Sequence, residues 1–143
     1  MLRAYKYRIY PTDEQKVLFA KTFGCVRVVY NWGLEFKTNL YKERKESISL
    51  FALQNRMKSE LKEEKEWLKE VNAQSLQQAL RQLDAAYQNF FKKNGKYPNF
   101  KSKHDRQSFH NPQSCSIDFK REVLNIPKAK NIPIVLHRKF MGD

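Results

Sequence analysis

The chain has few of the residues that build metal sites, disulfide frameworks and phosphate loops. Its two cysteines, Cys25 and Cys115, stand far apart and form neither a CxxC nor a CxxH arrangement. That excludes a disulfide framework or a cysteine-based zinc site and points to a reducing cytosol. The histidines, His104, His110 and His137, have neither HxxxH nor HExxH spacing, so no histidine metal site is expected from them. Glycines occur singly at 24, 33, 95 and 142, which leaves no P-loop, GxGxxG or GxSxG turn. No apolar run approaches the roughly 18–20 residues that cross a bilayer. Arg3, Lys6 and Arg8 interrupt the apolar core that a signal peptide would need. Carboxylates are scarce as well. The final third offers only Asp105, Asp118, Glu122 and Asp143, whereas two-metal nuclease chemistry needs about three or four converging on paired cations. No active site is read in the chain, and no cofactor or metal is expected.

The shortage of acid leaves 28 Lys and Arg against 15 Asp and Glu, a net charge of +13 on 143 residues. Such an excess points first to nucleic acid and second to an anionic membrane surface. The charge is grouped. Residues 1–46 carry +5, residues 47–92 carry +1 and residues 93–143 carry +7. Charge therefore sets the middle apart and classes the two ends together.

Patterning gives the organisation. Aromatics alternate with Lys6 and Arg8 up to Pro11, a period of two that reads as a half-buried strand with a cationic edge. Thr12 and Gln15 have capping-box spacing, which starts a helix over Asp13–Thr22 with a stop at Gly24. A second helix is expected from Cys25 to about Arg44, where Val26, Val29, Tyr30, Gly33, Phe36 and Leu40 form one stripe. Ser47 or Ser49 can cap a third helix bearing Leu50, Leu53, Met57 and Leu61, with the charged run Lys58–Lys69 as its solvated face. Asn72 caps a fourth, running through Lys92, in which Leu76, Leu80, Leu83, Tyr87 and Phe90/Phe91 step by three and four. Beyond Gly95 a basic, aromatic, proline-punctuated loop precedes short strands expected at Gln107–His110, Ser114–Phe119, Val123–Ile126 and Ile132–His137. The expectation is an α+β fold: a first strand in 1–11, a bundle of about four helices in 12–92, and the remaining strands in 93–143. Residues 2–10 would pair with the C-terminal strands, making the bundle an insertion in a small sheet or barrel.

Binding chemistry is better supplied than catalysis. Tyr5, Tyr7, Tyr10, Tyr97, Phe100 and Phe109 are interleaved with Lys6, Arg8, Lys96, Lys101, Lys103 and Arg106. Cations supply phosphate attraction and aromatics supply faces for bases, though each aromatic alone is more readily explained as core. Asn72, Gln74, Gln77 and Gln78 gather at the start of the fourth helix. Amides there can read adenine, or can simply form a polar exposed face.

These residues also carry a resemblance. Tyr5–Gln15 (YKYRIYPTDEQ), Phe23–Asn31 (FGCVRVVYN), Trp67–Val71 (WLKEV), Leu76–Leu80 (LQQAL), Leu83–Phe91 (LDAAYQNFF) and Tyr97–Lys101 (YPNFK) occur in the order of the TnpB (OrfB) proteins of bacterial insertion sequences, which the chain resembles over nearly its whole length. The resemblance implies a transposon-encoded, RNA-guided DNA endonuclease family related to type V CRISPR effectors. It implies a wedge domain, a small β-barrel, interrupted by a helical recognition domain. It also implies contacts with a guide RNA and with a short DNA motif beside the target. Aligned on the fourth-helix motif, Gln77 falls where the family reads that motif. Phe51, where tyrosine is expected, and Asn111 fall near other such contacts, with His110 as a neighbour. Asn72 and Gln74 align with a motif-reading turn but differ in residue type. Family members continue for a few hundred residues into a RuvC-like nuclease domain with an acidic triad and a zinc ribbon. A chain ending at Asp143 is thus expected to be a fragment, a truncated gene product or a decayed copy, binding without cutting. The competing readings are a chain that itself cuts or joins DNA and a remnant without function.

The grouping of charge predicts salt-sensitive nucleic-acid binding. With about six to ten phosphates neutralised, affinity should fall roughly 10³–10⁵-fold between about 50 and 200 mM salt. A filter-binding titration measures the slope, and a value near zero removes the phosphate-binding assignment.

Overall fold

Thr12 opens the first helix by the reciprocal bonds its spacing predicts. Its hydroxyl accepts from the Gln15 amide at 3.3 Å, and its own amide donates to Gln15 Oε1 at 2.9 Å. The computed structural model describes residues 4–136. In it, α1 (Asp13–Arg44) is one unbroken helix that ends on Lys45 in the left-handed conformation. The expected stop at Gly24 does not occur. A glycine inside a helix costs only about 1 kcal/mol, and the apolar stripe on both sides of it is continuous. Two of the four expected helices are therefore one.

Ser49, not Ser47, caps the next segment by accepting from the Ala52 amide at 3.2 Å. This segment runs as α2 (Leu50–Arg56), a π-helical turn (Met57–Leu61) and the short α3 (Lys62–Glu64). A 3₁₀ helix (Glu66–Glu70) follows, and its Leu68 is fully buried. Asn72 then caps α4 (Ala73–Phe91), its side chain accepting from the Gln74 amide at 3.2 Å.

The leucine stripe of α4 packs against α1, α2 and the π turn. Val29, Leu34, Leu53, Met57, Leu61, Leu68, Leu76, Leu80 and Leu83 form one core. At Gly33 the helices leave no room for a side chain. A Cβ built there would lie 2.8 Å from Leu80 Cδ2, 2.9 Å from Leu83 Cδ2 and 3.5 Å from Leu53 Cδ2.

The strands β1 (Ser116–Asp118), β2 (Val123–Ile126) and β3 (Ala129–Pro133) form an antiparallel sheet in the order β1-β2-β3. Among the described residues this sheet stays open, so the expected barrel is not formed there. The first segment reaches β3 through one bridge, Ile9 to Ile134, flanked by Tyr10 N donating to Pro133 O at 2.7 Å and Val135 N donating to Arg8 O at 3.2 Å. Its alternation holds: Tyr5, Tyr7 and Ile9 are half-buried, while Lys6, Arg8 and Tyr10 face solvent. The strand expected over Ile132–His137 ends at Pro133, and its last residue, like Arg3 and Leu2, lies outside the described residues.

Gln107–His110 is not a strand. Phe109 is instead inserted between Phe19 and Phe23, at ring distances of 5.8 and 5.3 Å. There it packs against both the helical core and the smaller core of Phe19, Ala129 and Ile132. The N-terminal half of α1 thus supports the sheet and its C-terminal half supports the helices, with Phe109 at the junction.

The two helical glycines predict opposite outcomes. A Cβ at Gly24 would meet nothing nearer than Arg27 Nη2 at 4.0 Å, so Gly24→Ala should gain about 1 kcal/mol and melt a few degrees higher. Gly33→Ala has the same propensity gain but must displace two buried leucines, at about 1–3 kcal/mol, and should melt below the parent. Thermal melts followed by far-ultraviolet circular dichroism distinguish them; a lower melting point for Gly24→Ala would restore the two-helix reading.

Candidate nucleic-acid interface

The start of α4 faces the 110–113 loop through side-chain amides. Asn72 Nδ2 donates to Asn111 Oδ1 at 3.0 Å, and Gln74 Nε2 donates to Gln113 Oε1 at 3.0 Å. Between these two pairs Ser75, 1% exposed, places its hydroxyl 2.7 Å from the carbonyl oxygen of His110 and 3.1 Å from Asn111 Oδ1. A hydroxyl has one proton to give, and the shorter contact is the one to His110. Four residues expected from the sequence, Asn72, Gln74, His110 and Asn111, therefore converge. His110 contributes its backbone, while its side chain is exposed.

This arrangement leaves hydrogen-bonding capacity. Each amide pair uses one donor and one acceptor, so Asn111 Nδ2, Gln74 Oε1 and Gln113 Nε2 have no protein partner among the described residues. Gln77 is half-buried one turn further along α4, on the same flank as Gln74 and the exposed Arg81. Its carbonyl accepts from Gln54 Nε2 at 3.4 Å, and its side-chain amide is unpaired among the described residues. Gln54 ties α2 to this flank. Phe51, one turn before Gln54 on the same side of α2, is 73% exposed. The sequence reading missed Ser75 and Gln113; a serine inside a leucine stripe and an amide after Asn111-Pro112 were the available signals.

The cations divide into two groups. Lys6 and Arg8 are exposed on the segment beside β3. Lys101 and Arg106 line a shallow groove with Arg27, Gln82 and Asp105, and Lys96 and Lys103 are exposed nearby in sequence. Lys101 is exposed and is also tied to α1. Its backbone amide and carbonyl pair with the Asn31 side chain at 2.8 and 2.9 Å, and its ammonium lies 4.7 Å from the centre of the Tyr30 ring. Among the described residues the ion pairs are Lys21–Glu70, Arg56–Glu60 and Lys69–Glu63. None engages Lys6, Arg8, Lys96, Lys103 or Arg106.

Groups that burial perturbs serve packing here. Burial, reinforced by nearby Glu70, pushes the Cys25 thiol up, which holds it protonated and poorly nucleophilic. Burial pulls the Lys37 ammonium down despite Asp84 and Tyr97 nearby. No cluster of three or more His, Cys, Asp or Glu suited to a metal ion occurs among the described residues. No helix among them is long and apolar enough to cross a membrane.

Comparison with known proteins agrees with the resemblance noted above. Residues 1–46 match a helix-turn-helix domain model of the OrfB type from IS605 elements; in this structure 13–44 form a single helix. A protein of Streptomyces pristinaespiralis named "Putative RNA-guided DNA endonuclease" is 47% identical over 103 residues, covering 71% of this chain and 25% of the relative. "Putative RNA-guided DNA endonuclease InsQ" of Escherichia coli is 31% identical over 132 residues, 89% of this chain and 32% of the relative. "Virulence protein VsdF" of Salmonella dublin is 39% identical over 116 residues, 74% of this chain and 98% of the relative. The chain thus spans a quarter to a third of the two endonuclease relatives and nearly all of the third.

The Ser75 bonds predict that loop and helix are coupled. Ser75→Ala leaves the part-buried His110 carbonyl without this donor and should lower stability by about 1–3 kcal/mol, visible as a reduced urea midpoint at unchanged slope. Amide exchange should accelerate across 110–113 more than within 76–87. Equal acceleration in both would mean that Ser75 supports only the helix.

Proposed function

The chain belongs to the OrfB (TnpB) family of insertion-sequence proteins, and from that premise we propose that it is the nucleic-acid-binding module of an RNA-guided system. In this reading it holds a guide RNA through its basic surfaces and reads a short DNA motif beside the target through the start of α4. The observation that carries the reading is the amide constellation of Asn72, Gln74, Asn111 and Gln113, set by Ser75 and continued along one flank by Gln77. Asparagine and glutamine present a donor and an acceptor side by side, the pattern that matches N6 and N7 of adenine in the major groove. Fixing the amides by mutual hydrogen bonds lowers the entropy lost when a base edge replaces water. Phe51 supplies an exposed apolar contact at the same side of the helices, suited to a thymine methyl group. Lys6, Arg8, Lys96, Lys103 and Arg106, without carboxylate partners among the described residues, supply phosphate attraction that positions the nucleic acid without reading it.

The described residues bind and do not cut in this reading. Cleavage is assigned to parts of the longer relatives outside the matched quarter to third. Interaction with a membrane is not part of the proposal.

Gln77 separates base reading from general affinity. Gln77→Ala removes no charge and keeps a strong helix former, so folding and the salt slope should stay as they are. Discrimination among DNA duplexes should fall by about 1–3 kcal/mol at one position. Arg8→Ala and Lys103→Ala should instead weaken all sequences alike and reduce the salt slope by about one each. Competition binding against a library of randomised duplexes measures both effects. A Gln77→Ala protein with intact sequence preference would show the assignment to be wrong; a melting point lowered by several degrees would make the residue structural.

A further inference from the structure

The opposite end of α4 carries a second, chemically different surface. Tyr87, Phe90, Phe91 and Tyr97 form a connected set of rings: Phe90 meets Tyr97 edge-on at 5.2 Å, Tyr87 meets Tyr97 edge-on at 5.4 Å, and Phe91 lies nearly parallel to Tyr87 at 6.2 Å and 24°. The base of the set is rigid. Tyr87 is buried, its hydroxyl is 2.9 Å from that of Tyr97, and Tyr97 is 2.9 Å from Thr38 Oγ1 on α1. The Lys37 ammonium sits 4.7 Å from the centre of the Tyr87 ring. The top of the set is open, with Phe91 68% exposed. A phenylalanine this exposed on a supported aromatic base contributes little to folding.

Asp84 lies near Lys37 at the base of the set, but the chain that runs on from the rings carries charge of one sign. From Ala85 to His104 the chain has no Asp or Glu, and it has Lys92, Lys93, Lys96, Lys101 and Lys103. An apolar face meant for a protein partner has no need of such a run, whereas a polyanion that also carries flat rings is complementary to both features. Position narrows the occupant further. A helix of 19 residues separates its two ends by about 27 Å, so Phe91 lies beyond the reach of the base pairs that would be read at Asn72 and Gln74. Bases that are already paired also have no free face to offer. We propose that Phe91, backed by Tyr87 and flanked by Lys92, Lys93 and Lys96, is a stacking platform for an unpaired base of single-stranded RNA. The inference rests on the RNA-binding reading above and adds to it a place and a mode of contact.

The test compares the full chain with Phe91→Ala, Phe91→Leu and Phe91→Tyr on two probes: an unstructured oligoadenylate and a blunt DNA duplex. Stacking of one base is lost in Phe91→Ala, so affinity for the oligoadenylate should fall about 5- to 150-fold, with duplex affinity and the salt slope unchanged. Phe91→Leu should stay weak because it restores apolar area without a π face, and Phe91→Tyr should bind as the parent does. Four results overturn the platform: unchanged oligoadenylate affinity in Phe91→Ala, rescue by leucine, an equal loss on the duplex, or a parent protein that binds the duplex but no RNA. Rescue by leucine identifies a merely apolar contact surface. If the parent binds neither probe, the RNA-binding reading fails together with this one. If it binds both and Phe91→Ala changes neither, only the platform fails.

Discussion

The close approach of α1 and α4 at Gly33 fixes the geometry on which every functional surface depends. With no side chain at that point, Leu80 and Leu83 of α4 and Leu53 of α2 can all reach the backbone of α1. The consequence is a dense seam in which the leucines of three segments are fully buried. Packing of this density transmits position, because a side chain in a close-packed core has no free volume into which to shift. The amides at the start of α4 and the aromatic rings at its end are held by the same seam. Gln74 and Gln77 at one end and Phe91 at the other are the members that stay partly or largely exposed.

The second constraint is electrostatic. A chain with +13 of net charge repels itself, and the fold answers by keeping most cations exposed and by placing three of the six acids of the middle segment, Glu60, Glu63 and Glu70, next to bases. Aromatic rings also receive cations: the half-buried Lys37 lies on Tyr87, and the exposed Lys101 and Arg56 lie near Tyr30 and Phe36. A ring face offers attraction without a buried carboxylate and its desolvation cost. The cations that remain unpaired at the two ends of the chain are thus available to phosphates. Phe109 joins the two cores and so brings the charged ends to one body.

The local signals were legible where they are written in adjacent residues. Thr12 with Gln15, Ser49 and Asn72 mark helix starts by side-chain chemistry that acts over three residues, and each is found as a cap. The apolar steps of α4 gave its buried face, and Val123–Ile126 reads as a strand from its own composition. Gly24 was misleading because a glycine signals a stop only if no neighbour continues the pattern. The stripe from Phe19 to Leu34 continues through it. Phe109 looked like part of a strand because a short apolar run has no period of its own. Its use as a plug depends on Phe19 and Phe23, which are distant in sequence.

By itself the sequence determined the α+β class, the charge grouping, the helix caps and the family, because each rests on local chemistry or on motifs in order. Tertiary structure alone decided the rest. It merged two expected helices into one, since a helix shared by two cores gains more from continuity than a glycine costs. It left the sheet open among the described residues and set the Lys101 ammonium over the Tyr30 ring. It also joined Asn72 and Gln74 directly to Asn111 and Gln113, on either side of a buried serine. Hydrogen bonds between residues nearly forty positions apart have no signature in a local pattern; they exist only because burying the leucines of α4 brings the loop and the helix to the same place.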